Sequence, residues 1–196
     1  MGNKVLSVRT KEKKTPLVVI DLLVGEEHKK YTVSEGTYRE IGCPLSGEEI
    51  DASSLDAIAR EDEERRALAK ALRLLSYTDN SERQLKQKLI MASFSKFSAE
   101  AAVKECVRLG YINEERQLER LVLSYATSLF GPRKIMAKLI ARSYSTEQII
   151  KAITSLEDDG KIDFKKSKEA LIRTKLPENA DYQEKRKLLY KYGYSK

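Results

Sequence analysis

Three clusters of cations carry the chemistry this chain can offer. The first is Arg83, Lys86 and Lys88. The second is Arg133, Lys134, Lys138 and Arg142, and the third is Lys185, Arg186, Lys187 and Lys191. Guanidinium and ammonium groups at this density recognise phosphates and carboxylates. Each cluster is built on an apolar frame at helical spacing: Leu85 and Leu89, Ile135 and Leu139, Leu188 and Leu189. That spacing places the charges on the opposite, wet face of a helix. One such residue taken alone is more often solvated surface than contact, so the set carries the argument. Aligned, the three helices would form one basic stripe.

Other chemistry is poorly supplied. The pairs Glu114-Glu115 and Asp158-Asp159 read as helix-start and turn signals rather than as metal ligands. His28, the only histidine, falls in a polar turn, which rules out the usual zinc spacings. Cys43 and Cys106 fall in separate regions and read as two unpaired, buried or half-buried thiols. There is no GxxxxGK[ST] loop for nucleotide hydrolysis and no GxSxG nucleophile turn. No enzymatic activity, cofactor or metal is expected. Tyr111, Tyr125 and Tyr144 fall in register with apolar positions and are assigned to packing rather than to base stacking.

The elements that must position the cations are helical. The chain has 196 residues, 41% hydrophobic and 34% charged, and carries a net charge of +7. Residues 1–60 balance at −1, and residues 61–196 carry +8. The excess therefore sits with the helices, where it favours a polyanion or an acidic protein face. The longest apolar run, Leu17 to Val24, is interrupted by Asp21 and is too short to cross a bilayer. No charged-then-apolar leader starts the chain, so a cytoplasmic, monomeric protein is expected.

Along the chain, residues 1–15 read as polar and frayed. Leu17–Val24 and Tyr31–Val33 read as a β-hairpin, and Ser34 opens a short helix. Ser46 with Glu49 predicts another short helix. From Asp62 the helices group as 62–76, 81–91 and 98–109, then 113–129, 132–142 and 145–156, then 164–176 and 182–192. Ser81 with Gln84, and Ser145 with Gln148, are capping boxes. Pro132 suits a first helical position, and Gly110 and Gly193 suit helix ends. The groups repeat at about fifty residues, with Phe97-Ser98 matching Tyr144-Ser145 at 47. The expected fold is mostly α: tandem three-helix repeats in an elongated, curved array behind a small segment containing a β-hairpin. Its divisions are 1–60, 61–112, 113–160 and an incomplete 161–196.

Several stretches resemble the RecX family. They are Ala71-Leu72-x-Leu74-Leu75, then Asn80-Ser81-Glu82-Arg83-Gln84-Leu85-Lys86-x-Lys88-Leu89, then Leu109-Gly110-Tyr111-Ile112-Asn113-Glu114-Glu115. Gly131-x-x-x-Ile135-x-x-x-Leu139, running on to Tyr144-Ser145, is similar too. The resemblance covers residues 60–196 and, more loosely, the N-terminal part. It implies tandem three-helix repeats that bind the recombinase RecA and lodge in the groove of its filament on DNA. It also implies restraint of strand exchange, of the coupled ATP hydrolysis and of the SOS response. The contacts expected from charge and spacing are Arg83, Lys86, Lys88, Arg133, Lys134, Lys138, Arg142, Lys185, Arg186 and Lys187. Two departures stand out: Asn80 occupies a place where arginine is usual, and the sequence stops at Lys196, where relatives continue into one more helix. The alternative is a stand-alone DNA-binding helical repeat protein.

Overall fold

The computed structural model describes residues 2–11 and 16–194. They divide into two compact units, residues 1–73 with 88–106 and residues 74–87 with 107–196.

The first unit holds an antiparallel sheet of β1 (Asn3–Lys11), β2 (Leu17–Val24), β3 (Glu27–Ser34) and β4 (Glu49–Ile50), in the order β3-β2-β1-β4. The hairpin is there, turned at Gly25, whose positive φ of 64° glycine adopts without strain. Of the start read as frayed, Asn3–Lys11 instead pairs along β2 with a bulge between Val5 and Ser7, and residues 1 and 12–15 lie outside the described residues. That bulge breaks the alternation by which a strand is recognised. His28 lies in β3 opposite Leu23, not in a turn. One sheet face buries Val5, Val18, Ile20, Leu22 and Val33 with Ile50 and Ile58.

Ser34 caps α1 (Glu35–Glu40) as expected, accepting from the Thr37 amide. The Ser46–Glu49 helix does not form. Glu48 turns its carboxylate onto the Leu45 amide at 2.8 Å, and residues 49–50 join the sheet. Asp51 instead accepts from the Ser54 amide at 2.7 Å and opens the 26-residue α2 (Ala52–Tyr77). The edge strand β3 is guarded by that helix, since the Thr32 amide donates to Asp62 and the Ser34 amide to Glu61. The buried side of α2 is Ala67 and Ala71, whereas Leu68, Leu72 and Leu75 are only half-buried.

The remaining helices are α3 (Glu82–Met91), α4 (Lys96–Arg108), α5 (Glu114–Thr127), α6 (Pro132–Ile140), α7 (Thr146–Asp158), α8 (Phe164–Lys175) and α9 (Tyr182–Tyr192). No helix among the described residues is long and apolar enough to cross a membrane. In the second unit, Leu118, Val122, Ile135, Leu139, Tyr144, Ile149, Ile153, Leu156 and Ile162 form one buried cluster. Ser145 and Gln148 make the reciprocal capping box, and Asn113 caps α5. In α4 the buried residues are Ser98, Ala99, Ala102, Val103 and Cys106, whereas Val107 and Leu109 are exposed. Cys43 is exposed as well.

The helix ends keep a fifty-residue register. Ser93, Ser143 and Gly193 all take left-handed backbone, with φ of 67°, 65° and 85°. The next amide then closes each helix: Phe94 onto Leu89 O at 3.2 Å, Tyr144 onto Leu139 O at 3.3 Å, Tyr194 onto Leu189 O at 2.9 Å. Asn113 and Asp163 open α5 and α8 with nearly equal angles (φ −135°, ψ 94° and φ −135°, ψ 99°). The match at 47 is therefore corrected to fifty. Ser95 accepts from the Ser98 amide and is the cap of α4, so Ser93-Phe94-Ser95 answers Ser143-Tyr144-Ser145.

Candidate functional site: a cationic ridge and groove

The helices that carry the cations meet end to end inside the second unit. At the first joint, α9 runs into α6. The Gly131 amide donates to Tyr192 O at 2.7 Å, and the Arg133 amide to Gly193 O at 3.2 Å. These are free donors of a helix start meeting free acceptors of a helix end. Lys134 adds a bond from its Nζ to Lys191 O at 3.0 Å.

At the second joint, α6 runs into α3. The Ser81 hydroxyl donates to Arg142 O at 3.0 Å, and the Arg142 guanidinium donates to Asp79 O at 3.3 Å. Polar side chains lock this end. Arg120 pairs with the Asp79 carboxylate. Asn80, standing where arginine was expected, is 1% exposed and donates to Thr78 O at 2.8 Å. Glu114 accepts from the Glu82 amide and from Gln148 Nε2, both at 2.8 Å, so it serves structure. The Tyr144 hydroxyl donates to Gln117 Oε1 at 3.2 Å; burial pushes its pKa up and holds it neutral.

The ten candidate residues thus fall into different roles. Lys134, Lys138 and Arg142 are engaged internally. Lys138 Nζ lies 5.3 Å from the Tyr125 ring centroid and 5.1 Å from that of Phe130, and Lys134 Nζ lies 5.4 Å from Phe130. Arg83, Arg133, Arg186 and Lys187 are exposed; Lys86, Lys88 and Lys185 are half-buried. Lys88 belongs to the first unit and the other nine to the second.

One groove of about 820 Å³ gathers Arg133, Lys185, Arg186 and Lys187 with Lys168. None of these five is in an ion pair with a described residue. Tyr182, Tyr190 and Tyr194 line the same groove, the first two 71% and 79% exposed. Sequence reasoning missed Lys168 and these tyrosines. The signal was available in the register, because Lys168 stands fifty residues after Leu118. Of the tyrosines assigned to packing, Tyr144 is buried and Tyr125 is half-buried, but Tyr111 is 57% exposed.

No family model matches the chain. Over 159 residues it is 24% identical to the regulatory protein RecX of Listeria monocytogenes serovar 1/2a, which covers 81% of this chain and 57% of that protein. The chain thus spans little more than half the length of the Listeria relatives it matches. Over 179 residues it is 26% identical to the RecX of Caldanaerobacter subterraneus subsp. tengcongensis, covering 89% of this chain and 86% of that one. In fold it is similar to a crystal structure of regulatory protein RecX, with a TM-score of 0.66 at 19% identity over 98% of this chain and 95% of that one. RecX from Lactobacillus salivarius superposes with a TM-score of 0.53 at 19% identity, over 68% of this chain and 90% of that one.

Proposed function

This chain is a relative of the RecX regulatory proteins, and from that premise we propose that it is a non-enzymatic regulator of the RecA recombinase. It binds RecA and the RecA filament on DNA, slows strand exchange and the coupled ATP turnover, and so tunes DNA repair and the SOS response from the cytoplasm, as a monomer. The helices form tandem three-helix repeats: α2–α4, α5–α7, and α8–α9 as the start of a third.

The observation that carries this reading is the main-chain joint between α9 and α6, with the Ser81–Arg142 joint beyond it. Serial joints link α9, α6 and α3, with Arg133, Arg186 and Lys187 gathered at one groove and Arg83 beyond the second joint. A filament repeats its charge along an axis, and a succession of cations engages it at several points where a compact patch engages it once. Each exposed contact contributes about 1 kcal/mol or less, so binding needs many of them and weakens steeply with salt.

The test is RecA's ATP turnover on single-stranded DNA as this chain is added. Inhibition near stoichiometric ratios is expected; no change at excess overturns the reading. A second reading, a stand-alone DNA-binding protein, is favoured by the exposed Tyr182 and Tyr190 beside cations that pair with no described residue, where bases could stack. Tight duplex binding in a gel shift without RecA would select it.

A further inference from the structure

The groove beside α9 occupies a place that another helix fills elsewhere in the same unit. Leu118 of α5 and Ile135 of α6, 2% and 0% exposed, are buried in one cluster with Ile149, Ile153 and Leu156 of α7. Fifty residues on, the corresponding positions are Lys168 of α8 and Lys185 of α9, and both line the groove. Leu139 becomes Leu189, which stays apolar and also lines it. The surface that α5 and α6 turn toward a helix is thus kept in α8 and α9, with lysine in place of two core side chains.

Both lysines are half-buried, and an anion beside them offsets the desolvation they carry. Among the described residues the groove presents five cations and no carboxylate.

Tyr194 is the second, independent sign. Its counterpart Tyr144 donates its hydroxyl to Gln117. Fifty residues after Gln117 stands Ser167, a shorter side chain. Ser167 is close enough to bear on the Tyr194 hydroxyl, yet no hydrogen bond of ordinary geometry joins them. Tyr194 is 6% exposed, lines the groove, and keeps a buried donor without an acceptor among the described residues. Such a donor in a cationic groove calls for an anionic oxygen.

We propose that this groove takes an acidic amphipathic helix of a partner protein. Its apolar side rests on Leu189, its carboxylates lie between Lys168 and Lys185, and one oxygen accepts from the Tyr194 hydroxyl. The stretch from Tyr182 to Tyr190 is about 12 Å of helix, long enough to face two turns. Leu189 within the cationic lining gives the apolar side of such a helix a place to rest. The inference rests on the proposed function only in treating the third cation cluster as contacts; it requires no recombinase.

Calorimetry with the whole chain tests it. The probe is a synthetic peptide with the 13-residue α7 sequence, carrying Ile149→Glu and Ile153→Glu. The unaltered α7 peptide and an octathymidylate are the comparisons. The acidic peptide is expected to bind about tenfold more tightly than the unaltered one. Lys168→Glu with Lys185→Glu should abolish that preference while circular dichroism and melting stay unchanged, and Tyr194→Phe should weaken binding about threefold or more. The proposal is overturned if the acidic peptide fails to bind, if it ignores the lysine changes, or if octathymidylate displaces it from the groove. An unbound peptide alongside intact inhibition of RecA would sink this inference and leave the proposed function standing.

Discussion

Gly131 and Gly193 meet so closely that a Cβ on Gly131 would stand 2.6 Å from the Gly193 carbonyl oxygen. A Cβ on Gly193 would stand 2.4 Å from the Cβ of Lys134, and Gly193 also needs its φ of 85°. The joint between α9 and α6 thus depends on two absent side chains. Gly131→Ala is expected to cost about 1–3 kcal/mol, as overpacking does, and Gly193→Ala somewhat more, because strain adds to the clash. Thermal melting reads the loss. Faster hydrogen exchange at the Gly131 and Arg133 amides would place it at the joint, and unchanged exchange there would refute the assignment.

Ser143 and Ser93 hold the left-handed conformation that glycine provides at the same place after α9. Ser143→Gly is expected to stabilise by about 0.5–1 kcal/mol, because relief of strain outweighs the added freedom of the unfolded chain. Denaturant unfolding measures it. A loss of stability would mean that the serine side chain has an unrecognised role.

Glu63 was unmarked in the sequence. Its carboxylate accepts from the Ser95 amide and hydroxyl at 2.8 Å each and from the Ser98 hydroxyl at 2.7 Å, capping the start of α4. Burial works to raise its pKa, but the bonds from Ser95 and Ser98, with Arg66 nearby, together hold it below the usual glutamate value. A lowered carboxylate stabilises above its unfolded pKa and loses that contribution as pH falls through the folded one. Glu63→Gln should therefore destabilise at neutral pH by about 1–2 kcal/mol. The gap to the unaltered protein should close in acid, and a pH-independent gap would contradict the capping role.

The cations should separate by role. Arg142→Ala is expected to lose about 1 kcal/mol or more of stability, since its guanidinium holds the Asp79 carbonyl at the joint. Arg83→Ala, Arg133→Ala and Arg186→Ala should stay within about 0.5 kcal/mol in melting. They should instead weaken co-sedimentation with RecA filaments. Each phosphate contact removed should flatten the salt dependence by about one in log–log slope. Loss of filament binding by Arg142→Ala alone, with its melting intact, would reverse the assignment.

Legibility followed locality. The Ser145–Gln148 box, the Asn113 cap and the glycine stops were readable because each is settled within four residues. β1 was not, since its bulge at Val5 to Ser7 and its charged letters hide the alternation. Asp51 to Asp62 looked like a boundary because polar text there continues a helix whose one buried charge, Asp62, is occupied by Thr32 and Arg66. The cation clusters were visible, but which of them face outward was not. Lys138 resting over Tyr125 and Phe130, and Lys134 reaching Lys191 O, depend on neighbours remote in the chain. The end-to-end joints leave little trace in side-chain letters, because they are made largely of peptide groups.

That last property has an evolutionary side. A seam stitched through amides and carbonyls is indifferent to what the flanking residues become, provided two glycines stay small. Lysines can then stand at 168 and 185, where leucine and isoleucine stand fifty residues earlier, without unseating α9. Successive sequences could rewrite the docking chemistry at this end while the scaffold beneath them holds still.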